Sequence, residues 1–175
     1  MDIDKKMGEI ISILKGISNY DVDGFVNQLY YWVKELEFFY NNVVPKQGGD
    51  PARAFYKVKP SQRPKEGQVA YFNLRRGYPK ETYDGHYCYI LKDYGFKYLV
   101  IPTTSVKEDS SSMDERFEID IKLKGFENDR YTRLHIDDMR VVDIQRLNEK
   151  KKIYELQEDI NKVSEVNEKI KKLLF

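Results

Sequence analysis

Between Gly67 and Ser105 the chain reads GQVAYFNLRRGYPKETYDGHYCYILKDYGFKYLVIPTTS, and no other stretch limits its possible folds as tightly. Three apolar runs, Val69 to Leu74, Tyr87 to Leu91 and Tyr98 to Pro102, are rich in Val, Ile, Tyr and Phe and are separated by glycine-bearing polar gaps. Residues of these types suit a pleated, half-buried surface, so the pattern predicts three short strands of a curled antiparallel sheet. The polar residues gather between the runs. Arg75, Arg76, Lys80 and Glu81 fall in the first connection, His86 opens the second strand, and Thr103, Thr104 and Ser105 close the third.

The sheet continues beyond this region. Lys107 to Arg116 (KEDSSSMDER) lacks apolar periodicity and reads as a mobile loop. Phe117, Ile119, Ile121 and Leu123 then alternate strictly with Glu118, Asp120, Lys122 and Lys124, the signature of a half-buried strand. A turn over Gly125 to Asp129, a strand over Tyr131 to Leu134 and another over Met139 to Asp143 complete a set of five to seven strands. In the fifth, His135 alternates with Leu134 and Ile136 and is expected to face solvent or a partner.

Helical periodicity flanks the strands. Ile3, Met7, Ile10, Leu14 and Ile17 follow four- and three-residue steps, and Val22, Phe25, Leu29, Trp32, Leu36, Phe39 and Val43 do the same, widened by Val26, Val33 and Tyr40. A helical hairpin over residues 1–44 follows, and a basic linker with Pro and Gly over 45–66. In that linker Arg53, Lys57, Lys59, Arg63 and Lys65, interleaved with Phe55 and Tyr56, can follow a nucleic-acid backbone or simply meet solvent. After Ile144 the chain reads as helical again. Ile153, Leu156, Ile160, Val163, Asn167, Ile170 and Leu174 keep a strict three-four alternation, with Asn167 at a position where one polar residue fixes register. That predicts a long C-terminal helix over 148–175, joining the two N-terminal helices as the third member of a bundle.

Composition narrows the function. Lysine and arginine number 30 against 29 acids, so a net charge of +1 supplies no global field toward nucleic acid or membrane, and any polyanion site must be local. The single cysteine, Cys88, excludes an internal disulfide and fits a reducing compartment. No apolar run approaches a membrane span, and the first residues carry no signal-peptide core, so a cytoplasmic protein with no membrane partner is expected. His86 and His135 are far apart in sequence and no zinc-ligand spacing occurs. No metal site or cofactor is expected.

Residues 67–147 resemble the MazF/PemK-like toxins, the metal-independent endoribonucleases of bacterial toxin-antitoxin pairs. The resemblance rests on four pieces in order: Gly67-Gln68-Val69-Ala70-Tyr71-Phe72, in which Gln68 replaces the family's acidic residue; Glu81 and Gly85 before the second strand; Pro102-Thr103-Thr104-Ser105; and Leu134-His135-Ile136 followed by Met139-Arg140-Val141-Val142-Asp143-Ile144-Gln145-Arg146-Leu147. The fold it implies is α+β: a small SH3-like antiparallel β-barrel at 67–147, here with two N-terminal helices and a long C-terminal one.

The function it implies is cleavage of single-stranded RNA by attack of the ribose 2′-hydroxyl, with an antitoxin as protein partner, a homodimer as the working form, and no activity on DNA. The family's catalytic pair is an Arg heading the second strand and a Thr or Ser ending the third. Those positions hold His86 and Thr104. An imidazole can accept or donate a proton near neutral pH, which an always-charged guanidinium does not. Arg75 is assigned transition-state charge, and Arg76, Lys80, Glu81, Thr103 and Ser105 are the expected RNA-binding residues. Arg140, Asp143 and Arg146 read as ion-paired support. The alternative is a catalytically weak barrel that serves as a protein-binding or regulatory module.

Overall fold

The computed structural model describes residues 2–54, 58, 60–126, 130–157 and 160–174. Two compact units divide the chain, Met1–Ala54 and Phe55–Phe175, so the boundary falls inside the predicted linker.

The first unit is helical because its apolar residues keep the helical period and because an aspartate caps each start. Helix α1 spans Ile3–Gly16, and Asp2 accepts from the Lys5 amide at 3.1 Å. Helix α2 spans Val22–Phe38, with Asp21 accepting from the Gly24 amide at 2.9 Å. A π-helical turn over Phe39–Val43 and a last turn over Val44–Lys46 prolong α2 until Gly48 and Gly49, both at positive φ, end it. Neither α1 nor α2 buries a single residue.

The second unit is built on six antiparallel strands: β1 Val69–Arg75, β2 Asp84–Asp93, β3 Lys97–Ser105, β4 Glu118–Lys122, β5 Tyr131–His135 and β6 Arg140–Asp143. Their order is β1-β2-β3-β5-β4, with β6 also paired to β3. Strand β3 is the hub. Its first half pairs with β6 (Val100 to Arg140) and its end with β5 (Thr104 to Arg133), while β2 runs beside Tyr98 to Pro102. Alternate residues fill two cores, one around Val69, Tyr89, Ile101 and Leu134, the other around Phe72, Cys88, Val100 and Val142.

Two expectations about this unit are corrected. The α+β class holds, but the sheet does not close into an SH3-like barrel: β1 and β4 remain separate edges, linked among the described residues through isolated pairs with the segment that follows β6. The C-terminal helix is also not long. Helix α3 spans Ile160–Leu174, and the residues expected to begin it lie instead in a 3-10 turn (Ile144–Arg146) and an extended run. There Val69 and Tyr154 exchange backbone hydrogen bonds at 2.9 Å, Lys124 N donates to Glu155 O at 2.9 Å, and Gln157 N to Lys122 O at 2.9 Å. Unpaired sheet edges offered those amides partners that a helix could not match, and tertiary context overrode the period.

The apolar seam of α3, expected to join a helical bundle, is taken up by the sheet instead. Val166 and Ile170 are buried in the first core with Val163 packed beside them, so the seam faces the sheet. Asn167 meets the Tyr89 hydroxyl at 2.9 Å.

Candidate functional site

The end of β3 is where polar side chains converge. Thr103 points inward and is 3% exposed, its hydroxyl donating to Tyr87 O at 2.9 Å. Thr104, on the opposite face, has its Oγ1 at 2.8 Å from His135 Nε2. The β4 and β5 ladder sets Glu118 opposite His135 and Asp120 opposite Arg133, so the four side chains share one face. Glu118 Oε1 lies 3.4 Å from His135 Nδ1, while Glu118 Oε2 accepts from the Asp114 amide at 2.7 Å and stands 3.5 Å from Arg133 Nη1. Arg133 donates from Nε and Nη2 to the two oxygens of Asp120, at 2.8 and 3.1 Å, and from Nη1 to Ser111 O at 2.8 Å. The serine-rich loop is thus tied down over the sheet, contrary to the mobile loop expected from its composition.

The result is a hydroxyl, an imidazole and a carboxylate in line, around a cavity of about 250 Å³ lined also by Ser105, Ser110 and Ser111. A carboxylate beside Nδ1 favours the tautomer with the proton there, which leaves Nε2 to accept from the Thr104 hydroxyl. Arg133 is 6% exposed, and its hydrogen bonds to Asp120 hold its pKa above the ordinary arginine value. Its fork is engaged with Asp120, so Arg133 fixes the two carboxylates in place.

His86 approaches the same strand end from β2. Its Nδ1 lies 3.3 Å from Thr103 O, and His86 is not among the residues that line the cavity at Thr104. Both histidines of the chain therefore reach adjacent residues of β3. Cys88, one step inward, is fully buried, and burial pushes its thiol pKa up, as an inert core cysteine requires.

The other sequence-derived candidates fall elsewhere. Arg75 and Asp84 face each other where β1 meets β2, both in the left-handed region at φ 66° and 60°, and the Arg76–Tyr83 loop springs from them. Arg76 is bidentate to Asp84 at 3.1 and 3.0 Å, with its guanidinium 5.0 Å from the Tyr83 ring centre. Glu81 accepts from the Tyr78 amide at 3.2 Å within its own turn, and Lys80 is exposed. None of these four lines the cavity at Thr104. In the closing motif Arg140 pairs with Asp138, Asp143 accepts from the Gln145 amide at 2.9 Å, and Arg146 donates to Leu74 O at 3.3 Å.

Of the linker candidates, Phe55, Tyr56, Lys57 and Lys59 lie outside the described residues. Arg63 and Lys65 join Lys124 and Lys152 around a second cavity, of about 500 Å³, in which Glu155 is the only acid among the described residues and lies 3.5 Å from Lys124. Lys152 Nζ also stands 4.9 Å from the Tyr154 ring centre.

Thr104 stands near the end of β3, where the sequence predicts it, whereas the gathering of His135, Glu118 and Arg133 beside it was not expected. A signal was present: acids two apart in one strand (Glu118, Asp120) and bases two apart in the next (Arg133, His135) mark one polar face of a pair of strands. Compared with known families and curated proteins, the chain matches no family model and no curated protein.

Proposed function

We propose that this chain is a metal-independent endoribonuclease of the toxin type, which cleaves single-stranded RNA with Thr104, His135 and His86 at its centre. The observation that carries the reading is the meeting of both imidazoles at adjacent residues of β3, one through Thr103 O at 3.3 Å and one through Thr104 Oγ1 at 2.8 Å. Cleavage by the 2′-hydroxyl needs one group to take its proton and another to protonate the departing 5′-oxygen. In this reading His135 Nε2, oriented by Glu118, takes the proton. The 2′-oxygen bonds to phosphorus, the bond to the 5′-oxygen breaks, and His86 supplies a proton to that oxygen. When RNA binds, the Thr104 hydroxyl turns from His135 Nε2 to the phosphate, which frees Nε2 for the 2′-hydroxyl; Ser105 donates to the same phosphate, and the products are a 2′,3′-cyclic phosphate and a 5′-hydroxyl.

The cationic cavity of Arg63, Lys65, Lys124 and Lys152 supplies the local positive charge that the balanced composition lacks, and it suits the backbone of the same RNA strand. An antitoxin partner and a cytoplasmic setting belong to the same proposal and rest on the resemblance over 67–147. No described helix is long and apolar enough to cross a membrane.

Incubation of purified protein with mixed-sequence RNA in EDTA, followed by end-group analysis, tests the reading. Cyclic-phosphate ends, no cleavage of DNA, and losses of roughly a hundredfold or more in His135→Ala and His86→Ala are expected. His86→Arg separates proton transfer, which it abolishes, from simple charge, which it preserves. Parental activity in both alanine variants, or a requirement for Mg²⁺, would sink the assignment.

A further inference from the structure

The helices of the first unit present a physical problem that the nuclease reading does not touch. Isolated helices of 14 and 17 residues are marginal in water, and most helical stability in proteins comes from covering an apolar face. Here the faces stay open. Ile3 is 68% exposed, Ile13 64%, and Tyr30, Tyr31 and Tyr40 between 51% and 58%. An aromatic side chain alone carries roughly 150–250 Å². With the aliphatic seams added, the open apolar surface is on the order of 1,000 Å², beyond the ~300–600 Å² patch of an ordinary monomer and enough for the ~800 Å² that each partner buries in a standard interface.

We infer that this surface is covered by a second copy of the chain, α1 of each protomer packing on α2 of the other in a four-helix bundle about a two-fold axis. Three observations favour that occupant. Both helices carry the three-four seam that bundle packing uses, so each copy offers the geometry the other needs. The seams are apolar throughout and contain none of the single polar positions that specify a different partner. The charges are complementary as well: α1 has three lysines and two acids, α2 one lysine and three acids, so α1 of one copy suits α2 of the other. The interface lies wholly in the helical unit and is independent of the barrel-type association that the family resemblance implied.

Trp32, the single tryptophan of the chain, sits on the α2 seam and is 38% exposed, which makes it a built-in probe. Sedimentation equilibrium of the full chain from ~1 to ~100 μM should show a monomer–dimer equilibrium, with Trp32 emission moving to shorter wavelength as the dimer fills. Ile10→Glu and Leu36→Glu place a charge in the seam and should weaken association at least about a hundredfold, with the unfolding transition of the sheet unit unchanged. The wild-type emission shift needs no variant, so a failure of either variant to fold leaves the test intact. A monomer at ~100 μM with normal helix content would overturn the inference. So would a dimer that survives both substitutions, or a monomer that uses this face for phospholipid vesicles instead.

Discussion

The Tyr89 hydroxyl donates to Asn167 Oδ1 at 2.9 Å, joining the middle of β2 to the sheet-facing side of α3. Tyr89 is fully buried, and a buried hydroxyl without an acceptor is costly, so the polar residue in the apolar seam of α3 has a defined task. Asn167→Leu should destabilise the sheet unit by about 1–3 kcal/mol in denaturant unfolding. In Tyr89→Phe, where no donor is left needing Asn167, adding Asn167→Leu should cost far less. Equal costs in the two backgrounds would show that the bond is incidental.

Alkaline titration should single out the same residue. Burial pushes the pKa of Tyr89 and Tyr98 from 10.0 up to about 12 in each case. For a raised acid the unfolded chain ionises first, so the stability these phenols contribute is complete below about pH 10 and drains away as pH rises toward 12. Spectroscopic titration should show Tyr89 and Tyr98 among the late tyrosines, ionising with unfolding, and Tyr98→Phe should remove one late phenol. The Tyr98 hydroxyl is buried with no hydrogen-bond partner among the described residues, so that substitution should leave stability unchanged or slightly higher.

Gly85 precedes His86 and lies under the Tyr71 ring, where an added Cβ would overlap the ring and its hydroxyl. Gly85→Ala must displace Tyr71 or the head of β2. It should cost about 1–3 kcal/mol in thermal or chemical unfolding, and under the proposed function it should lower cleavage more than binding, because His86 moves with the backbone. An alanine variant of parental stability would mean that Tyr71 yields freely.

Salt dependence distinguishes the cations. Lys124→Ala or Lys152→Ala should weaken RNA binding for all sequences and flatten the slope of log affinity against log salt by about one unit. Arg76→Ala should act differently, because Arg76 is bidentate to Asp84: it should lower stability and leave the slope nearly intact. The reverse pattern would move the phosphate contacts to the Arg76–Tyr83 loop.

The strands were legible because their cues are local: Val69 to Leu74, Tyr87 to Leu91 and Tyr98 to Pro102 each carry strand-forming residues bounded by glycine or polar gaps, and each falls inside an observed strand. Thr104 was legible for the same reason, as a hydroxyl at a strand end. His135 was not. Its meaning depends on β5 lying between β3 and β4, a non-local arrangement, and alternation alone set it facing solvent or a partner. The false start of the C-terminal helix has a related cause. Ile153 and Leu156 keep the helical period, yet Ile153 packs beside the second core and Leu156 belongs to the first, so one spacing served two faces of a sheet.

The extended run from Tyr154 to Gln157 has a consequence for solubility. An open sheet has two rims of unpaired amides and carbonyls, each a template for strands of other molecules. By bonding to Val69 on one rim and to Lys122 and Lys124 at the other, this short run acts as a common stopper for both. Gln157→Pro, which removes the amide donor to Lys122 O and leaves the rest of the chain in place, would keep all six strands and weaken that protection, so its characteristic failure should be sheet-on-sheet aggregation into β-rich fibrils.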